Sequence, residues 1–370
     1  MSNILDYLKW RGDLTFTQDP PGAVDALVFS ALAYISYGGR AHAHPDRPLA
    51  LHEAAKDTLA MKNAADRVRV KTDLDLLKLA AETVRFGSCQ LCMYRDEFIP
   101  EEETQFAAMT FLLDDGSMML AYRGTDTTLV GWKEDFNMTF QQTIPAQRLA
   151  ADYIRQVAAE LDRPMYLAGH SKGGNLAVFA AARSSPMIQQ RILQVWNHDG
   201  PGFTKYMMGD PGYLAMVPRI QTYIPQSSVI GMLLEHEEPY RVIHSRQVSI
   251  WQHELYSWEV MGKNFLPVED VTGECRFVDA TIKAWFASMT NQERNQLVDV
   301  LYGLLSSGDV EKSYDIFHPK NIRTYLKTIG NDEKLRKILT TEFMGLLEAA
   351  RHTHARFQSP ALPEGEEEGK

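Results

Sequence analysis

Ser171 is the first residue whose type and neighbours promise chemistry, in the run Gly169-His170-Ser171-Lys172-Gly173-Gly174. Glycine stands two residues before the serine and two after it, the G-x-S-x-G spacing. A turn sharp enough to lift a serine hydroxyl off a strand end brings backbone so close that those positions must lack side chains. The hydroxyl then stands at a helix N-terminus, where the helix dipole favours developing negative charge. Such a serine attacks an acyl carbon once a base takes its proton. The alternative is a glycine-rich tight turn with an incidental serine. Against it, an apolar run at 165–168 and small residues at 174–183 supply the strand and helix that a nucleophile elbow requires.

Attack on a carbonyl leaves a tetrahedral oxyanion that needs donors. The backbone N–H of Lys172, next after the serine, is one. The second must come from a loop after an earlier strand, and the extended run 118–123 leads into Arg123-Gly124-Thr125-Asp126, followed by Trp132 and Asp135. Gly124 permits close approach, and Thr125 offers both its N–H and its hydroxyl. A turn-stabilising hydroxyl is the competing role for Thr125. Asp126, beside it, is placed on the substrate side.

Arg123-Gly124-Thr125 before a Trp and an Asp, then Gly169-His170-Ser171 with Gly173-Gly174, resembles the class 3 lipase pattern. The opening Asp6-Tyr7-Leu8-Lys9-Trp10-Arg11-Gly12-Asp13-Leu14, with Lys172 and Asn175, is more closely similar to a bacterial family of lipase-like α/β-hydrolases, largely of unknown function and related to those lipases. The resemblance covers residues 4–260. It implies an α/β-hydrolase fold and makes Thr125 the oxyanion residue.

In that fold the chain order is serine, acid, histidine, with the histidine in a loop after the last strand. His198 precedes the acid candidate, His236 lies in a Glu-rich loop, and His244 falls inside the extended run 241–251. His318, His352 and His354 belong to the helical tail. His253 stands just past that run, and Gln252-His253-Glu254 with Trp258 resembles the histidine and downstream Trp of class 3 lipases. His253 is the base by this reading, with His244 its rival. After the run 219–224 such a lipase would carry its Asp, but here Pro225-Gln226-Ser227-Ser228 holds no carboxylate. One strand earlier, Asp199-Gly200-Pro201-Gly202 places a carboxylate at a strand end, as in pancreatic-type lipases. Asp199 is the acid chosen; an Asp capping a Gly-Pro turn, Glu235 or Glu237 as the acid, and a dyad without a strong acid remain open.

Secondary elements must position these groups. Apolar spacing at Val24, Leu27, Ala31, Leu32 and Ile35 predicts a helix, followed by a loop over 38–48. A helix capped by Thr72 runs to Val84, then extended runs at 90–99, 105–113 and 118–123 predict antiparallel pairing through Asp114-Asp115-Gly116. Helix 147–161, strand 165–168, helix 174–183 and strand 192–197 alternate as parallel βαβ units do. Runs 219–224 and 241–251 extend the sheet. Beyond residue 270 the chain turns helical, with a stripe at Val278, Ile282, Trp285, Phe286 and Met289, and a Thr290/Glu293 capping box. The expected division is a hydrolase domain over 1–268, a helical extension over 269–357 and a disordered acidic tail over 358–370.

At 370 residues with 45% hydrophobic content, the chain buries a sizeable core and is no small binding module. Its formal net charge of −10 repels polyanions, which argues against nucleic acid as partner. No apolar run approaches the ~20 residues that span a bilayer, and residues 1–14 lack the layout of a secretory signal. A cytoplasmic location is therefore expected. Cys89 and Cys92 form one C-x-x-C with no second pair; on a strand they point to opposite faces, so a metal site is not expected. The segments after the strands offer Met207 and Met208 in one insertion and Met232 in another as adaptable apolar walls. The expected activity is hydrolysis of a carboxylic ester with an apolar acyl group, small or lipid, requiring no cofactor. Thioesterase, amidase and acyltransferase share the same site, and a non-catalytic binding protein on this fold is the alternative outside enzymes.

Overall fold

Alternation along the extended runs sets the architecture, because successive strand residues face opposite sides of a sheet. In the computed structural model, which describes residues 2–37, 44–126, 128–308 and 318–358, the runs form one eight-stranded sheet. Its strands are β1 (Leu49–Ala50), β2 (Gln90–Ile99), β3 (Thr104–Leu112), β4 (Met118–Tyr122), β5 (Met165–His170), β6 (Ile192–His198), β7 (Ile220–Pro225) and β8 (Tyr240–Ile243), ordered as in the sequence. Pairing is antiparallel from β1 to β4 and parallel from β4 to β8. A separate ribbon pairs β9 (Val260–Met261) with β10 (Asn264–Phe265).

Helices cover both faces. On one lie α1 (Ile4–Arg11), α2 (Ala23–Leu32), α3 (Leu51–Leu59), α4 (Thr72–Glu82) and α5 (Val84–Gly87), whose apolar residues share a core with Leu91, Met109, Met119, Ala168 and Trp196 of the sheet. After α6 (Leu129–Asn137), the other face is packed by α7 (Pro145–Glu160) and α8 (Lys172–Ala182), with α9 (Pro186–Arg191) and α10 (Pro211–Met216) following. That core takes Phe106, Leu120, Tyr122, Leu167 and Val195. Neighbours Leu167 and Ala168 thus enter different cores. So do Cys89 and Cys92; both are buried and free, as is Cys275. The last helices are α11 (Gly273–Ser288), α12 (Asn291–Ser306), α13 (Pro319–Asn331) and α14 (Glu333–Gln358). This is an α/β-hydrolase fold with a helical C-terminal extension.

The N-terminal face carries a buried charge pair. Arg85 Nε and Nη2 each donate to Asp25 at 2.7 Å, Tyr7 donates to the same carboxylate at 2.8 Å, and the guanidinium lies 4.1 Å from the Phe16 ring centroid. These contacts tie α1, α2 and α5 together through polar groups that no apolar period reports.

The main correction concerns the run 241–251. The strand stops at Ile243, so His244 follows the strand rather than lying inside it, and residues 249–253 make a short 3-10 turn. Val248, Ile250 and Trp251, which suggested a continuing strand, are exposed, and Ser249 has φ +53°. Thr72 is also not a cap: α4 begins on it after Lys71, and the nearby cap-like bond runs from Val70 N to Asp73 Oδ2 at 2.9 Å. Helices α1, α3 and α6 add to the expected set. The Thr290/Glu293 capping box is present, with Thr290 N donating to Glu293 at 2.7 Å. Residues 38–43 of the expected loop and 359–370 of the expected tail lie outside the described residues.

Candidate active site

The strand-turn-helix around Ser171 forms as its glycines require. Ser171 joins β5 to α8 with φ +60° and ψ −135°, a conformation costly for a residue with a side chain. A Cβ on Gly169 would collide with the Gly173 carbonyl, so the turn closes only with glycine there. Ser171 N donates to His198 O at 2.9 Å and its carbonyl accepts from Gly174 N at 2.9 Å, fixing the elbow from both sides. The Ser171 hydroxyl has no hydrogen-bond partner among the described residues.

The side chain and backbone of Lys172 diverge in role. The ammonium is buried and gives its three protons to three acceptors: Glu134 Oε2 at 2.8 Å, and Gln105 O and Oε1 at 3.0 Å each. Glu134, fully buried, also accepts from Gln105 N at 3.2 Å and Ala146 N at 3.0 Å. The backbone N–H of Lys172 opens α8, where helix geometry supplies no acceptor, and no described residue supplies one.

The end of β4 lies against the elbow. A Cβ on Gly124 would strike the Tyr34 hydroxyl and the His170 carbonyl, so contact at this point depends on glycine. Thr125 follows directly. Its hydroxyl donates to Asp135, with oxygens at 2.6 and 2.7 Å, so that proton is committed while the backbone N–H has no described partner. Burial pushes the Asp135 carboxyl up to about 6, against the lowering pull of Lys172, 3.9 Å away, and of the Thr125 hydroxyl. Asp126 Oδ1 accepts from Thr128 N at 2.8 Å, a turn-forming bond.

Asp199 and His253, 54 residues apart, are brought together at the strand ends. His253 Nδ1 lies 2.6 Å from Asp199 Oδ2, which leaves Nε2 as the free ring nitrogen. Asp199 is fully buried, sits at φ +54°, and has its other oxygen held by the Ser228 hydroxyl and by Gly231 N at 3.2 Å. The turn at 225–228 that lacks a carboxylate thus supplies a hydroxyl that holds the carboxylate of the preceding strand. The His253 ring lies 4.6 Å, centroid to centroid, from the ring of His170, the residue before Ser171.

The rival residues lie elsewhere. His244 pairs with Glu259 at 3.1 Å, and His198 is buried, its Nε2 donating to Ala23 O at 2.9 Å, with burial pushing its imidazole down to about 4. Glu237 accepts from Gly209 N at 3.1 Å, and Glu235 pairs by its backbone with Phe203. Met207 is buried in the core with Phe203 and Tyr213, Met208 packs against that core, and Met232 packs against Ile224, Val242, Val271 and Cys275. Among the described residues no His, Cys, Asp and Glu cluster could hold a metal ion, and no helix is long and apolar enough to cross a membrane. Residues that sequence reasoning did not place at the site are Glu134 and Gln105 behind Lys172, Ser228 and Gly231 behind Asp199, and Tyr34, Arg69 and Glu254 around His253. Their contacts span tens to hundreds of positions, so no local period signals them.

A family model described as Mbeg1-like matches residues 80–303. No curated protein matches the chain by sequence. Among solved structures, the chain is similar to the native Rhizomucor miehei lipase propeptide complex at 14% identity and TM-score 0.33, over 48% of this chain and 70% of that one. It is also similar to a fungal lipase at 12% identity and TM-score 0.40, over 68% and 87%. A mutant MDLA from Penicillium cyclopium matches at 13% identity and TM-score 0.39, over 65% and 83%.

Proposed function

The chain belongs to the Mbeg1-like family, and from that premise we propose that it is a serine hydrolase cleaving carboxylic esters with an apolar acyl group. The observation that carries this reading is the 2.6 Å Asp199–His253 pair beside the strained Ser171 elbow. Asp199 orients the imidazole and favours its Nδ1–H tautomer, which makes Nε2 the base. His253 takes the Ser171 proton as Oγ bonds the acyl carbon, and the carbonyl oxygen becomes an oxyanion. The backbone N–H groups of Lys172 and Thr125 receive that charge; both lack another described acceptor, which suits preorganised donors. His253 then protonates the leaving alcohol. Water repeats the sequence on the acyl-enzyme and restores Ser171.

Met208 and Met232, partly buried on the insertions after β6 and β7, are assigned in this reading to an apolar acyl side, and Asp126 to its polar edge. Three buried free thiols support a reducing compartment, the cytoplasm in this reading. The domain boundaries proposed are 1–268, 269–357 and 358–370.

The test is a series of p-nitrophenyl esters of increasing acyl length, with Ser171→Ala as the blank. The reading predicts hydrolysis at least ~10³-fold above the blank, with kcat/KM rising with acyl length. Hydrolysis equal in both proteins contradicts it.

A further inference from the structure

We propose that Arg69, acting with Tyr34, is a positioning residue that holds the backbone of His253 at the elbow; this rests on the reading of Ser171 and His253 as nucleophile and base. Five residues close a ring around that backbone. Arg69 makes a two-pronged ion pair with Glu254, Nη1 at 2.7 Å from one oxygen and Nη2 at 2.8 Å from the other. Its guanidinium carbon lies 5.0 Å from the Tyr34 ring centroid. The Tyr34 hydroxyl is 3.0 Å from His170 Nδ1, and His170 Nε2 is 2.9 Å from the carbonyl oxygen of His253. Glu254 is bonded to His253, which completes the ring.

Donor and acceptor roles in this ring are determined. A carbonyl oxygen only accepts, so His170 must carry its proton on Nε2; Nδ1 is then an acceptor, and Tyr34 donates to it. Burial holds the His170 imidazole well below the usual histidine range, in keeping with a neutral ring. Tyr34 and His170 are buried, so the bond between them does not compete with water. Arg69 Nε has no hydrogen-bond partner among the described residues, so Glu254 and the Tyr34 face are what place the guanidinium.

The ring fixes the main chain from which the imidazole hangs, while Asp199 fixes its Nδ1. Together they leave the base little freedom relative to Ser171, which directly follows His170. The Tyr34 hydroxyl also abuts Gly124, so the same residue touches the turn that carries Thr125. Arg69 and Tyr34 both precede residue 80, where the Mbeg1-like match begins. The N-terminal helical segment therefore does more than cover the sheet: it sets the base of the hydrolase.

Arginine is required because its planar fork pairs with both carboxylate oxygens and stacks on a ring, which a lysine does not reproduce. The experiment measures fluorophosphonate labelling rate, and kcat and KM on an activated short-chain ester, for wild type, Arg69→Lys, Tyr34→Phe and the double variant. Circular dichroism melting is recorded alongside. Each single variant is expected to lose about tenfold or more in labelling rate and kcat with KM within twofold, because misplacement of a catalytic group is felt in the chemical step. The double variant should lose little more than the worse single, since both act on one backbone position. Tyr34→Phe removes one hydroxyl, and Glu254→Gln tests the ion pair from its other end if Arg69→Lys does not fold. Single variants within twofold of an active wild type, or losses that multiply in the double, overturn the proposal. A wild type that neither labels nor hydrolyses instead overturns the hydrolase reading beneath it.

Discussion

At the scale of single residues, the site is decided by which histidine meets which carboxylate. His253 has Asp199 at 2.6 Å and lies beside the elbow; His244 has Glu259 at 3.1 Å and sits just past β8. His253→Ala is accordingly expected to lower kcat by roughly 10²–10⁴-fold on an activated ester, with His244→Ala within threefold. The reverse pattern would move the base to His244. Asp199→Asn should cost on the order of 10³–10⁴-fold by presenting the wrong tautomer, and near-normal turnover would remove Asp199 from the mechanism. Asp135 gives a pH signature. Its carboxyl is raised to about 6, so between pH 4 and 6 the folded protein binds more protons there than the unfolded chain, and this group makes stability fall as pH rises through that window. Above it, Asp135 is a charge held at a cost. Asp135→Asn keeps an acceptor for Thr125 and removes the charge. Because the side chain keeps 37% of its surface open, solvent screening limits the gain to about 1 kcal/mol, or about 1 °C in Tm. The Tm difference between variant and wild type should grow as pH is raised from 4 to 7.5; a difference constant with pH contradicts the assignment.

At the scale of elements, the same chemistry depends on what lies behind the turns. Lys172 is read from sequence as an oxyanion residue, and the structure separates its backbone from a buried side chain locked to Glu134 and Gln105. Lys172→Met leaves Glu134 buried without its cation, which should cost about 3–5 kcal/mol in urea unfolding, and adding Glu134→Gln, which removes the charge but keeps an acceptor for the backbone N–H groups of Gln105 and Ala146, should recover part of it. The folded fraction should keep its turnover, because the donor is the backbone N–H; a fall in kcat matching loss of the oxyanion hole would show that the ammonium acts in catalysis. The alternation of strand and helix from β4 to β7 was legible because buried parallel strands are short apolar runs bounded by turn residues. The run after β8 misled for a physical reason: Val248, Ile250 and Trp251 keep the apolar content of a strand while the chain, turned at Ser249, leaves them in solvent. The elbow was legible from Gly169, Ser171 and Gly173, whose spacing is a local steric demand. Ser228 was not, since a serine in a turn has many local uses and its contact with Asp199 is made across 29 positions.

At the scale of the whole molecule, both ends of the chain converge on the site. The N-terminal segment sends Arg69 and Tyr34 to the His253 loop. The C-terminal helices reach two other parts: Thr272 N donates to Gln226 O at 2.8 Å and Cys275 Sγ to Ser228 O at 2.9 Å, beneath the turn that holds Asp199. On α12, Asp299 pairs with Lys133 at 2.8 Å, beside Glu134 and Asp135 on α6. Ending the chain at residue 268 removes all three contacts, and is expected to lower kcat/KM on a short ester to below about a tenth of wild type. Unchanged kinetics in the shortened chain would make the extension independent of the site. None of these convergences was readable along the sequence, which shows helices and their caps but not what their polar edges meet.

Nucleophilicity at Ser171 is the claim on which the rest depends, and reaction with a fluorophosphonate followed by intact mass and peptide mapping tests it most directly. One phosphonyl group per chain on the peptide carrying Ser171, absent from Ser171→Ala, is the predicted result. No adduct on the wild type, or equal labelling of both proteins, contradicts it.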